Sequence, residues 1–123
     1  MIPDDELQPS VSVQKMDLVF ENPIREDELK IRTGRFLSGL TDALKQAGCE
    51  LIGHIKGAIA TDEGYLVFSV TSFEEGVRFK GEIPGDIYKI NSTMNIIVYG
   101  IEPDAIGKLF QREWERHWPA GSS

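Results

Sequence analysis

The chain has 123 residues, a hydrophobic content of 41% and a formal net charge of −7, values that are typical of one soluble globular domain. The negative charge argues against non-specific binding of nucleic acid, because such binding requires many cationic side chains that neutralise phosphates. No apolar run approaches the roughly 20 residues of a membrane span, and the acidic start lacks the apolar segment of a signal peptide, so we expect a cytoplasmic protein without a membrane contact.

The first part of the chain predicts a strand followed by a long helix. Residues 1–10 are acidic and contain two prolines, and we interpret them as a mobile lead-in. Alternating apolar and polar side chains predict a strand over residues 11–21, which Pro23 should end because proline cannot donate to a strand ladder. An apolar stripe at helical spacing predicts a helix over residues 26–47. The stripe consists of Leu29, Phe36, Leu37, Leu40 and Leu44.

Three consecutive strands in the middle of the chain are predicted to form an antiparallel meander. The two loops between them, residues 61–64 and residues 73–76, are each four residues long with glycine last, which is typical of hairpins. If both loops close directly, the register of all three strands follows. Phe68 then lies between Gly57 and Gly81 on an apolar face, while the other face is mostly polar.

The last part of the chain predicts one more strand and a second helix. Residues 86–92 are compatible with either a strand or an excursion from the sheet, whereas residues 93–101 predict a central strand because both of its faces are largely apolar. Pro103 suits the first turn of the closing helix, and Trp118 near its end either caps the core or forms an exposed apolar knob. Residues 119–123 are expected to be a loose tail. The apolar stripe of this helix consists of Ile106, Leu109, Phe110, Glu113, Trp114 and His117.

The predicted order β-α-β-β-β-β-α indicates a single α+β domain over residues 11–118. The helical connection between the first two strands should be right-handed and should leave these strands parallel to each other. Two helices cannot cover both faces of a five-stranded sheet. We therefore expect a two-layer sandwich, in which a mixed, mostly antiparallel sheet carries both helices on the face of Phe68 and leaves the other face open.

This layout resembles the C-terminal domain of the CobW family of P-loop GTPases, a cobalamin-synthesis and metallochaperone family. Four short motifs carry the resemblance over about residues 13–115: Pro23-Ile24 before the long helix, Lys56-Gly57, the apolar Leu66-Val67-Phe68, and Val98-Tyr99-Gly100-Ile101 leading to Asp104. Ala58-Ile59 departs from the aromatic residues that often follow the Lys-Gly pair in the family. The chain also lacks a GxxxxGK[ST] phosphate loop and the CxCC metal motif of the family. The resemblance therefore implies a domain without the GTPase part, which binds or tunes a partner and has no catalytic residue to carry over.

The open face of the predicted meander carries a cluster of cationic side chains, which we name the basic strip. Cross-strand neighbours lie only about 5 Å apart, so like charges are unfavourable there unless an anion or an acidic surface compensates them. We predict a non-enzymatic binding or regulatory module that uses the strip for an anionic ligand or for a protein partner, either a CobW-like GTPase or a second copy of the chain. A solvated face neutralised by nearby carboxylates is the alternative. The strip consists of His54, Lys56, Arg78 and Lys80, flanked by Ser69 and Thr71.

A small enzyme that acts on an anionic substrate is the alternative function, with His54 and Lys56 as acid/base candidates. A pocket walled by the strip would favour this enzyme, whereas a flat face would favour the binding module. The histidines and Cys49 lack the spacing of metal ligands, so we expect neither a metal nor another cofactor. Cys49 is interpreted as a small residue at the junction of a helix and a strand.

Overall fold

The computed structural model describes residues 8–118 and contains five strands and two helices in the predicted order, which confirms the α+β class. Residues 1–7 of the predicted lead-in and all of the predicted tail at residues 119–123 lie outside the described residues. The strands are β1 (Ser10–Ile24), β2 (Leu51–Ala60), β3 (Tyr65–Val70), β4 (Arg78–Glu82) and β5 (Ile87–Tyr99), and the helices are α1 (Glu26–Gln46) and α2 (Pro103–His117).

The strands form one sheet in the order β1-β5-β2-β3-β4, and every neighbouring pair is antiparallel. β1 and β2 run in the same direction, as the helical connection predicts, but β5 lies between them and is antiparallel to both. The sheet therefore has no parallel neighbours among residues 8–118. The central position predicted for β5 is confirmed: Met94 and Ile96 are buried on one face, and Ile97 is half-buried on the other.

Both helices cover the face of the sheet that holds Phe68, because each presents an apolar stripe to it. Phe36 of α1 makes edge-to-face contacts with Phe110 and Trp114 of α2, with ring centroids 5.4 Å and 5.3 Å apart. Such aromatic contacts add to the free energy that burial of the rings already contributes. Trp118 is only 4% exposed and packs against Trp114, so it caps the core and the exposed apolar knob is wrong.

The hairpin between β2 and β3 has the predicted register. Gly57 lies opposite Phe68, and its neighbours on both sides follow the same pairing. The loop closes as expected, since the backbone N–H of Thr61 donates to Gly64 O at 2.9 Å and the Thr61 hydroxyl accepts from the N–H groups of Glu63 and Gly64. The threonine side chain thus accepts hydrogen bonds from backbone N–H groups of the loop, which in a helix or strand would donate to a backbone carbonyl.

The hairpin between β3 and β4 differs from the prediction by two residues. Phe68 lies opposite Phe79, and Gly81 lies opposite Leu66 instead. The loop spans residues 71–77 rather than 73–76, because Phe73 and Val77 pack against the core; within it, the Ser72 hydroxyl accepts from Glu75 N at 3.0 Å. A shift of two residues keeps every side chain on its predicted face but moves each one to another row.

The first and last strands are longer than predicted. β1 continues through Pro23 to Ile24, because the pairing with β5 is interrupted after Val19 and resumes where Ile24 faces Ile87. A proline is tolerated at such an irregularity in an edge strand, since no ladder hydrogen bond is lost there. Of residues 86–92, which the sequence left open, all but the first belong to β5, which is one continuous strand from Ile87.

Candidate functional site

The register of the sheet places two cations of the basic strip and one of its flanking residues in one row on the open face. Lys56 of β2 lies opposite Ser69 of β3, and Ser69 lies opposite Arg78 of β4. Lys56 and Arg78 are thus two strands apart, roughly 10 Å between their backbones, with the Ser69 hydroxyl between them. Lys80 follows in the next row, opposite Val67. The sequence instead predicted Lys80 in the row of Lys56 and Arg78 in the row of His54, an error that comes from the longer second loop.

The other two predicted residues, His54 and Thr71, are less available than this row. His54 is two residues from Lys56 on β2 but lies opposite Ile97 of β5, beyond a register irregularity at Gly53, and its side chain is half-buried. Thr71 follows the end of β3, and its hydroxyl donates to Glu75 Oε2 at 2.8 Å. Thr71 therefore has a partner within its own loop. The compact part of the strip consists of Lys56, Ser69, Arg78 and Lys80.

The cations of the compact part form no ion pair with a carboxylate of residues 8–118. Within residues 8–118, neither Lys56, Arg78 nor Lys80 has a carboxylate oxygen within 4.0 Å, and all three side chains are exposed. Elsewhere on the surface, by contrast, Arg25 lies 3.6 Å from Asp86. Unpaired like charges in neighbouring rows repel one another, so an acidic group that approached them would remove an unfavourable interaction.

The strip lies outside the clefts described for residues 8–118. Four clefts are lined by other side chains, and no strip residue contributes to any of these four. Two of them, of about 600 Å³ and 450 Å³, lie beside α2 at the edge strand β1 and between α1 and the loop of residues 71–77. Exposed cations outside these four clefts favour a docking module over a pocket enzyme that uses His54 and Lys56.

Cys49 occupies the junction between α1 and β2, as its sequence position predicts. It is 4% exposed, and its thiol donates to Leu51 O at 3.5 Å. Burial raises the pKa of the Cys49 thiol, because the thiolate is disfavoured away from water.

Among residues 8–118, no group of three or more His, Cys, Asp and Glu side chains is arranged to hold a metal ion. Within the same residues, neither helix is long and apolar enough to cross a membrane.

A buried carboxylate in α2 was not singled out from the sequence. Glu113 is 2% exposed; its Oε2 lies 3.6 Å from both Arg112 Nε and Arg116 Nη1, and its Oε1 lies 3.8 Å from His117 Nε2. The helices approach closely here, since a Cβ on Gly39 of α1 would stand 2.6 Å from Glu113 Oε1. The signal in the sequence was an acidic residue on a largely apolar stripe. The cluster lies within α2, where α1 approaches it, and faces away from the strip.

One further carboxylate ties α1 to the end of β4. Glu26 Oε1 accepts from the backbone N–H of Ile83 at 2.6 Å, and its other oxygen lies 3.4 Å from Lys30 Nζ. The hydrogen bond from Ile83 and, secondarily, the charge of Lys30 hold the pKa of the Glu26 carboxyl below its ordinary value of 4.5. This contact fixes the first turn of the helix against the sheet.

Comparisons with known proteins give two structural similarities. No protein-family model matches the chain, and no curated protein matches it. A zinc-bound YjiA GTPase from E. coli is similar at 17% identity and a TM-score of 0.42, and a zinc-bound triple mutant of YjiA at 15% and 0.39. Each similarity covers 81% of this chain but only 29% of the GTPase chain. YjiA is a CobW-family GTPase, the family that the sequence resembles, but at these values the similarity carries no functional residue over to this chain.

Proposed function

We propose that this chain is a non-catalytic binding module, similar to the C-terminal domain of a CobW-family GTPase, whose basic strip docks on an acidic surface of a protein partner. The observation that carries the proposal is the row Lys56–Ser69–Arg78, with Lys80 in the adjacent row, whose three cations are exposed on the open face. Exposed cations spread over three strands favour an extended partner over a small enclosed substrate. It matches instead a surface that presents carboxylates at strand spacing.

The net charge of the chain strengthens this interpretation. A molecule with a net charge of −7 repels acidic partners over most of its surface, so a local group of unpaired cations selects one orientation of approach. Electrostatic complementarity of this kind determines the rate and the specificity of docking more than its final affinity. The interaction should therefore weaken as salt shortens the screening length toward about 8 Å at physiological ionic strength.

Poly-glutamate is a suitable probe of the strip, because it presents closely spaced carboxylates and its use does not require the partner to be identified. We expect NMR titration of the isotope-labelled protein to shift the amide signals of Lys56, Ser69 and Arg78 first. We expect the double charge reversal Lys56→Glu with Arg78→Glu to abolish these shifts at low salt. Titration with inorganic phosphate forms a second arm. If phosphate shifts these signals and poly-glutamate does not, the strip binds a small anion rather than a protein partner.

The matched control is Lys89→Glu with Lys108→Glu, which changes the net charge by the same amount at positions outside the strip. This control should bind poly-glutamate within about twofold of the unmodified protein, because the local field of the strip is intact. Equal losses in both double variants would show that only net charge matters. In that case the strip is a solvated face, and the proposed function is wrong.

A further inference from the structure

β1 is an edge strand whose outer side has no neighbour within residues 8–118. Its 15 residues make it the longest strand of the sheet, and its open-face side chains Val11, Val13 and Val19 are 50%, 55% and 69% exposed. An unpaired edge strand presents a row of backbone N–H and C=O groups that a further strand can extend. A long edge with exposed valines is therefore a docking surface for another strand.

The opposite edge of the sheet is protected against such pairing. β4 is only five residues long and carries Arg78 and Lys80 on its open face, and Gly81 adopts a left-handed φ of 100°. Short length and exposed cations are features by which natural sheets block edge-to-edge contacts. β1 has an irregularity only after Val19, so the pairing stretch ahead of it is regular. The asymmetry indicates that β1 is the edge available for a partner.

We propose that two copies of this chain associate through β1, antiparallel to each other about a two-fold axis at Met16. In this arrangement Lys15 of one copy faces Asp17 of the other, and the same pair occurs a second time by symmetry. Val13 of each copy likewise faces Val19 of the other. Opposite charges and apolar pairs directly across an antiparallel ladder are both favourable.

The charges select this register over its neighbours. Side chains that face each other across the ladder must lie on the same side of the sheet. The two-fold axis therefore passes through a residue of β1 and not between two residues. Moving the axis by one residue in either direction places Lys15 opposite Lys15, or Asp17 opposite Asp17. Both alternatives juxtapose like charges, which is unfavourable. Of these three registers, only the one centred on Met16 is self-complementary, the property that a two-fold interface requires.

The surroundings of the edge leave room for this partner. A cleft of about 600 Å³ lies along residues 11–14 of β1 and is closed on its other side by α2, including Gly107 and Lys108. In the proposed register, Leu18 of the second copy lies opposite Gln14, at the rim of this cleft. Leu18 is half-buried in its own chain and packs against the core, so the contact would extend apolar surface already present.

Sedimentation velocity from about 1 µM to about 1 mM protein covers the affinity expected for a small interface. The measurement belongs at physiological salt, where the repulsion between two copies of charge −7 is largely screened. We expect reversible dimerisation of the unmodified chain. Lys15→Glu and Asp17→Lys should each weaken it at least about tenfold, because each creates two like-charge pairs. An equimolar mixture of the two variants should associate again, since every facing pair is then of opposite sign.

Two controls make the test specific to the register. Lys56 lies two strands away from the edge. Lys56→Glu should therefore leave dimerisation unchanged, although it impairs the basic strip. A failure of the proposed function is thus distinguishable from a failure of this inference. Met16→Cys should form an interchain disulfide on oxidation, whereas Val13→Cys should not, because the two substituted positions lie about 20 Å apart along the strands. A monomer up to about 1 mM, or no association in the variant mixture, would overturn the inference.

Discussion

Gly57 is closely packed on the covered face of the sheet, and replacing it with alanine should destabilise the protein. A Cβ at this position would stand 2.5 Å from Thr93 O, in the backbone of β5, and closer still to Phe68 Cζ. Ordinary contacts of a carbon atom are about 3.5–4.0 Å long, so one or both neighbours must move. Phe68 is buried at 3% exposure among core residues, and the Thr93 carbonyl belongs to a paired strand, so neither yields easily.

The size of the effect follows from two opposing contributions. Forcing an extra methyl group into a packed core typically costs about 1–3 kcal/mol. Gly57→Ala also restricts the unfolded chain, which stabilises the fold by roughly 0.4–1 kcal/mol. Because a backbone atom is one of the two obstacles, the upper part of the first range applies. We expect a net loss of about 2 kcal/mol in the free energy of unfolding, which lowers Tm by roughly 8 °C for a domain of this size.

Gly34→Ala is a control with the opposite expected sign, since nothing lies within 4 Å of the position where its Cβ would stand in α1. It should gain up to about 1 kcal/mol from helix propensity alone. Urea unfolding followed by circular dichroism measures both variants. If Gly57→Ala is as stable as the unmodified protein, the close packing of Phe68 on Gly57 is wrong. In the double variant with Phe68→Leu, a coupling of at least about 0.5 kcal/mol should appear, because the smaller side chain removes one of the two clashes.

Three further outcomes are expected. Phe68→Ala should cost about 3–5 kcal/mol in urea unfolding, because it leaves a cavity under both helices, and a loss below 1 kcal/mol would contradict its buried position. The pKa of Glu26 is lower in the folded protein than its ordinary value of 4.5, so the ionised carboxylate stabilises the fold above about pH 4.5. This stabilisation is lost as pH falls through the lower pKa of the folded state. Glu26→Gln should therefore flatten the dependence of Tm on pH below about 4.5, and an unchanged slope would exclude this role. Since burial raises the pKa of Cys49, iodoacetamide should alkylate it at pH 8 far more slowly than in denaturant, and equal rates would contradict its burial.

Local periodicity in the sequence determined the element order and the faces of the elements. The helical spacing of residues such as Leu29 and Leu44 predicted the buried side of α1, and alternation in the central strands predicted that Phe68 points inward and Lys56 outward. The β2–β3 register was predictable because Gly64 closes a short loop in which Thr61 supplies the hydrogen bonds. Each of these features depends on residues a few positions apart, where the sequence pattern and the geometry have the same period.

Only the tertiary structure decided the strand order and the rows of the basic strip. Nothing local in β5 specifies that it lies between β1 and β2, because that position results from contacts between distant segments. Phe73 and Val77, which the sequence placed in or beside a tight turn, pack against the core instead. The loop that holds them is longer by three residues than the predicted one, which moved Arg78 into the row of Lys56. Burial of these two apolar side chains outweighed the turn signal, since removing apolar area from water contributes more than the preference of a few loop residues.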